Sequence, residues 1–187
     1  MLNGHPEIKA MTQSSAASQL CLRPFDVGVA VRLLLAPEER YEPLSHALVT
    51  STSAVHRSVG RLRLARLCKP ESRTIITDAF VEFAVCCVPY TFPHMRDKAA
   101  RGLVTATSHP RLTHLHPNGD AAFVWASSRH SAEGVAIIPL FAGVLQVAER
   151  DERMHHLLSI IEALRTVNRE DREPFRAYLE ETLAALV

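Results

Sequence analysis

Histidine, cysteine and arginine are the residue types through which this chain could do chemistry, and each is unevenly distributed. Of ten histidines, His109, His114 and His116 fall in one short stretch. An extended His114-Leu-His116 would put both imidazoles on one side of the backbone, a spacing that zinc could use. No second ligand pair accompanies them, and Pro110, Pro117, Asn118 and Gly119 frame the stretch as a solvent loop. The reading is surface histidines, with a metal-responsive site on His109, His114 and His116 as the alternative. His155-His156 borders an apolar helical stripe and reads as surface or partly buried. The four cysteines, Cys21, Cys68, Cys86 and Cys87, form no C-x-x-C pair and no disulfide framework. They are expected to be reduced and mostly buried. Asp78 and Glu82 lie four apart, as the polar edge of a helix would, and not as an acid/base dyad. No P-loop, G-x-S-x-G, H-E-x-x-H or dinucleotide fingerprint occurs. The expectation is a protein that is not an enzyme and needs no cofactor.

The arginines carry more information. Between Ser51 and Arg73 stand Arg57, Arg61, Arg63, Arg66, Lys69 and Arg73 against Glu71 alone, whereas the stretch from Glu149 to Val187 has an acidic excess. The total of 21 Lys+Arg against 20 Asp+Glu, a formal +1, therefore conceals a polarised chain. The near-zero sum excludes a uniformly basic nucleic-acid coat, and the distribution leaves room for a localised one. Basic side chains gathered on one face neutralise phosphates and release counterions on binding DNA.

Those arginines need helices to hold them. Val27, Val31, Leu34 and Leu35 recur at helical spacing from Pro24 to Leu35, with Asp26 placed to cap the start. Ala36-Pro37-Glu38-Glu39 breaks that helix, and a second fits Glu42 to Leu48. After a turn at Val49-Thr50, Ser51 to Ser53 offer caps for a third helix through about Ala65. Leu44, Ser45 and Leu48 give the second helix an apolar face with a small residue at its centre. Val55, Val59 and Leu62, at steps of four and three, supply the face that packs on it. Ser53, His56, Arg57, Gly60 and Arg61 are then left pointing largely outward. Two helices crossing over a tight turn, apolar behind and basic in front, make the layout of a recognition helix.

Leu44-Ser45-His46-Ala47-Leu48, Ser51-Thr52-Ser53-Ala54-Val55 and Arg61-Leu62-x-x-Ala65-x-Leu67 resemble the winged helix-turn-helix regulators of bacteria, in the broad sense that includes MarR-like and ArsR-like proteins. The resemblance covers roughly residues 22–76. It implies a DNA-binding surface of Ser51, Thr52, Ser53, His56, Arg57, Arg61, Arg63, Lys69 and Arg73. Arg57 and Arg61 would reach base edges, since arginine pairs bidentately with guanine, and the serines and threonine at the helix N-terminus would meet a phosphate. Three positions depart from the family's pattern. Val49-Thr50 stands where the turn commonly has Gly and an apolar residue, Arg66 stands where the recognition helix usually ends in Gly, and Leu64 occupies an outward position that is normally polar. Cys68 to Arg73 leaves room only for an abbreviated wing.

Residues 1–20 are polar and small and are expected to be a flexible tail, without the layout of a secretory signal. Ala79 to Val88 is almost entirely apolar, the mark of a buried helix, capped by Thr77 and ended by Pro89. Residues 93–120 read as a long connection with one short strand at Leu103 to Ala106. Ala122 to Ala126 and Val135 to Leu140 suggest a small β-hairpin. Met154, Leu157, Leu158, Ile161 and Leu164 form one helical stripe and Phe175, Tyr178, Leu179, Thr182, Leu183 and Leu186 another, suited to complete a core or to make a dimer seam.

The expected fold is α+β, mostly α, with a tail (1–20), a winged helix-turn-helix domain (21–76) and a C-terminal dimerisation, effector or partner-binding region (77–187). No apolar run is long enough for a membrane helix. The expected function is a cytoplasmic, homodimeric, sequence-specific double-stranded DNA-binding regulator, a repressor by preference. The alternative is an antitoxin or regulatory subunit that binds a partner protein through residues 77–187 and autoregulates through its helix-turn-helix.

Overall fold

A computed structural model of the chain describes residues 21–37, 39–116 and 122–186. The expected tail and Pro117, Asn118 and Gly119 lie outside the described residues. The architecture is α+β and mostly helical, with a three-stranded sheet.

Helix α1 (Pro24–Leu35) begins at Pro24, whose fixed φ and missing N–H suit a first turn. Asp26 is not its cap. It is the third helical residue, and its carboxylate reaches back to accept a hydrogen bond from the Arg23 amide at 2.8 Å. Helices α2 (Tyr41–Ala47) and α3 (Thr52–Leu64) follow. Ser51 caps α3, its hydroxyl accepting from the Ala54 amide at 3.3 Å. After α3 the chain turns back in a minimal antiparallel hairpin from Leu67 to Ile76. The Lys69 amide donates to the Thr74 carbonyl and the Ile76 amide to the Leu67 carbonyl, both at 2.9 Å.

Helix α4 (Thr77–Cys86) is shorter and less enclosed than its composition suggests. Phe80, Val81, Ala84 and Val85 are buried, while Glu82 and Cys86 face solvent. Its cap position is Ile76, so Thr77 lies within the helix. Pro89 does not end α4. It sits in the first turn of α5 (Val88–Thr91), where its missing N–H leaves no ladder bond unmade. Of the cysteines only Cys68 is buried, and Cys21, Cys86 and Cys87 are exposed, against expectation. Both ends of α4 and its Cys86–Cys87 exit simply lie at the surface.

Strand β1 (Arg96–Val104) takes up the first part of the 93–120 stretch that the sequence suggests is a connection, and starts well before the short strand expected at Leu103 to Ala106. Strands β2 (Phe123–Ala126) and β3 (Ala132–Ile137) do not form a hairpin with each other. Both run antiparallel to β1 and parallel to one another, which closes the sheet on itself. Gly102 is the meeting point, paired with Ala126 on one strand and Ala132 on the other. A Cβ there would stand 2.1 Å from the Trp125 carbonyl oxygen, so only glycine admits the approach.

Helices α6 (Val144–Arg150), α7 (Glu152–Thr166) and α8 (Glu173–Ala184) complete the chain. The core centres on α7, which is buried at Met154 and continuously from His156 to Arg165. Phe175, Leu179 and Leu183 of α8 point into the same core. The two C-terminal stripes thus meet inside one chain and complete its core. At roughly 1.5–3 kcal/mol per buried large aliphatic side chain, α7 is the element this fold can least lose.

Two polar groups inside α7 anchor the sheet's approaches. Glu162 accepts from the Leu140 amide at 3.1 Å and pairs with Arg165. Arg165 in turn donates to the Phe92 carbonyl at 2.7 Å and the Pro93 carbonyl at 3.1 Å. Burial pushes the Glu162 carboxyl upward, opposed by Arg165 and the Leu140 amide. Among the described residues no helix is long and apolar enough to cross a membrane.

Candidate nucleic-acid interface

The surface to consider is the outward side of α3 with its flanking turns. Val55, Val59 and Leu62 are wholly buried, and Leu44, Ser45 and Leu48 lie buried on the neighbouring α2 and its end, as the periodicity predicts. The hydroxyls of Ser45 and Thr52 lie 3.2 Å apart at the point where the two helices meet. Only a small residue allows that closeness.

Both helices end in the same unusual way. Val49, with φ 53°, and Arg66, with φ 59°, adopt the left-handed conformation. In each case an amide reaches five residues back, Thr50 to the Ser45 carbonyl and Leu67 to the Leu62 carbonyl, both at 2.9 Å. This is the closure that glycine ordinarily serves. Val49 and Arg66 thus make with ordinary side chains a turn for which glycine is the usual residue.

Outward on α3 stand Thr52, Ser53, His56 and Arg57, all exposed, with Ser51 exposed at the cap. The side chains of Arg57, Arg66 and Lys69 are exposed and hold no hydrogen bond or ion pair among the described residues. The other predicted contacts are committed elsewhere. Arg63 is half-buried and donates to the Ser72 carbonyl at 2.9 Å, bracing the hairpin tip against α3. Arg73 donates to the Glu39 carbonyl at 3.2 Å and lies over the Tyr41 ring. His56 stacks on the same ring at a centroid distance of 3.6 Å. Tyr41, absent from the sequence-derived site, thus positions two of its members. An aromatic at the first residue of a helix carried no periodic signal that could have revealed this.

Arg61 requires a correction. It is 7% exposed and makes a two-pronged ion pair with Asp26 on α1, Nε to Oδ2 at 2.7 Å and Nη2 to Oδ1 at 2.6 Å. Asp26 raises the Arg61 pKa further, chiefly through that hydrogen bond. Periodicity placed Arg61 on the outer face because it counted arginine as polar. A buried carboxylate on α1 draws it inward. Leu64, by contrast, is 63% exposed on the outer face.

The histidines also sort differently. His109, expected at the surface, is 4% exposed. Its ring lies 4.6 Å from that of His155 and 5.4 Å from that of His156, while His114 faces Tyr178 at 5.7 Å. His109, His114 and His116 are thus not brought together. Among the described residues no group of three or more His, Cys, Asp or Glu side chains is arranged to hold a metal ion. Burial, then the neighbouring imidazoles and Arg111, pushes His109 down to about 4. His155 and His156 are lowered as well, first by burial.

Comparison with family models, with curated proteins and with solved structures finds no match to this chain.

Proposed function

We propose that the chain is a sequence-specific double-stranded DNA-binding regulator, acting as a two-fold dimer in the cytoplasm, with α2 and α3 as a helix-turn-helix and Leu67–Ile76 as its abbreviated wing. The observation that carries this reading is the division of α3 into two faces. Val55, Val59 and Leu62 are sealed against α1 and α2, while Ser53, His56 and Arg57 are exposed over one helical turn, His56 held against Tyr41. Hydrogen-bonding groups on a rigid helix, flanked by the unpaired cations Arg66 and Lys69, suit a major groove and the phosphates beside it. The left-handed closures at Val49 and Arg66 support the same geometry. Arg57 is the residue assigned to a base edge, and Arg66 and Lys69 are assigned to the backbone.

The test is selection of bound sequences from a random duplex pool, followed by gel-shift with the enriched site. Arg57→Ala should cost about 1–3 kcal/mol of specific affinity and relax one base position. Enrichment of no sequence, or undiminished affinity in Arg57→Ala, would overturn the reading. Repression is the expected sign of regulation, checked with a reporter under the selected site.

A second reading, a partner-binding subunit, is favoured by Tyr90, Met95 and Ile138, large apolar side chains exposed within residues 77–187. A stoichiometric protein co-purifying through that region and inhibited by it would favour this alternative.

A further inference from the structure

On the side of α7 that bears His156, a cleft of about 440 Å³ opens between the end of α1, the start of α7 and the last turns of α8. That volume lies within the range of small-molecule sites. Leu35, Leu157 and Leu186 give it an apolar floor, with Tyr178 and Thr182 along one wall.

Four charged side chains line it, and they are not equivalent. Arg111 and Glu152 neutralise each other at 3.0 Å. Arg153 and Glu181 hold no side-chain partner among the described residues, neither with each other nor elsewhere. His156, which also lines the cleft, is 7% exposed and its Nε2 is buried without a hydrogen-bond partner. A buried orphan of this kind signals a missing polar partner.

We propose that this cleft binds a free α-amino acid with a large apolar side chain. Arg153 takes the carboxylate, Glu181 takes the ammonium, and the side chain lies on Leu35, Leu157 and Leu186. One unpaired cation and one unpaired anion over an apolar floor complement a zwitterion better than a simple acid or amine.

The position of the cleft suggests its use, and this part rests on the DNA-binding reading. Leu35 ends α1, and Arg32 on the same helix is ion-paired at 2.8 Å to Asp151, the cap of α7. Asp26, near the other end of α1, grips Arg61 of α3. A ligand seated in the cleft therefore bears on the helix that holds α3 in place.

Binding is measured first on the full chain without DNA, by calorimetry with L-leucine and L-phenylalanine. One saturable site is expected, weakened at least tenfold when the probe is the N-acetyl amino acid or the amino acid amide. Arg153→Gln should erase the difference between the acid and its amide. Glu181→Gln should erase the difference between the amine and its N-acetyl form. Both residues lie on exposed surface, so circular dichroism should show unchanged folding. No saturable binding up to probe concentrations on the order of 10 mM, or equal binding of the blocked forms, overturns the site. The bound probe is then titrated into the gel-shift with the selected duplex. A shift in DNA affinity supports the coupling, and none overturns it while leaving the site standing. Because the first measurement contains no DNA, its outcome is independent of whether a binding sequence is ever found.

Discussion

The Arg61 guanidinium on α3 meets the Asp26 carboxylate on α1 through two hydrogen bonds of 2.6 and 2.7 Å, with Asp26 1% exposed. This pair fixes the rotation of α3 about its own axis and hence which side chains face outward. Breaking one partner leaves an uncompensated buried charge, so Arg61→Ala should lose about 3–5 kcal/mol in urea unfolding. Asp26→Leu combined with Arg61→Met should recover most of that loss. If Arg61→Ala were as stable as the wild type, the pair would have no structural role. With the expected destabilisation, loss of DNA binding in Arg61→Ala reports folding, whereas the same loss in Arg57→Ala reports contact.

Val49 and Arg66 hold a left-handed conformation at a cost of roughly 1–2 kcal/mol each. Glycine relieves that cost but adds freedom to the unfolded chain, so the net gain is smaller. Val49→Gly and Arg66→Gly should each raise stability by about 0.5–1 kcal/mol, read as a higher denaturation midpoint. A destabilised Val49→Gly would mean that the valine side chain contributes more than its exposed position suggests.

Stability should fall in acid through the histidine cluster. His109 is lowered to about 4, with His155 and His156 lowered beside it, so the unfolded chain binds more protons than the folded one between pH 4 and 6.5. The contribution is fully present above about pH 6.5 and is lost as pH falls toward 4. For His109 alone the loss is roughly 3 kcal/mol. Unfolding midpoints at pH 7, 6 and 5 should show the decline, and His109→Gln should flatten it.

Two glycines should respond oppositely to alanine. Gly102→Ala drives a methyl into the Trp125 carbonyl and should cost more than ~2 kcal/mol with loss of the closed sheet. Gly60, inside α3 with no atom within 4 Å of an added Cβ, should gain about 0.5–1 kcal/mol as Gly60→Ala. Thermal melts of both variants separate packing from propensity.

If α3 docks on DNA, its cations should appear in the salt dependence. Removing a phosphate contact lowers the slope of log affinity against log salt by about one. Arg66→Ala and Lys69→Ala should each do so across all sequences alike. An unchanged slope in both would remove them from the interface.

Much of the helical part was legible in the sequence. Helices α2, α3 and α8 bury one periodic stripe each, and α1 and α7 carry such a stripe within a wider buried surface; the stripe is written in local spacing. The cap at Ser51 and the small residue Ser45 were legible for the same reason. The sheet was not. Ala99, Ala100 and Gly102 give β1 no alternation to detect, and its pairing with two distant segments depends on contacts far apart in the chain.

Within the candidate site the division is the same. Local spacing alone specifies that α3 carries serine, histidine and arginine over an apolar back, because helical geometry repeats every few residues. Which of those arginines is free depends on the folded chain. Asp26 lies 35 residues from Arg61, and Glu39 lies 34 from Arg73. His109 likewise meets His155 and His156 only because the sheet and α7 close over it. A charged side chain faces solvent until a partner from elsewhere in the chain makes burial cheaper, and only the folded chain brings that partner to it.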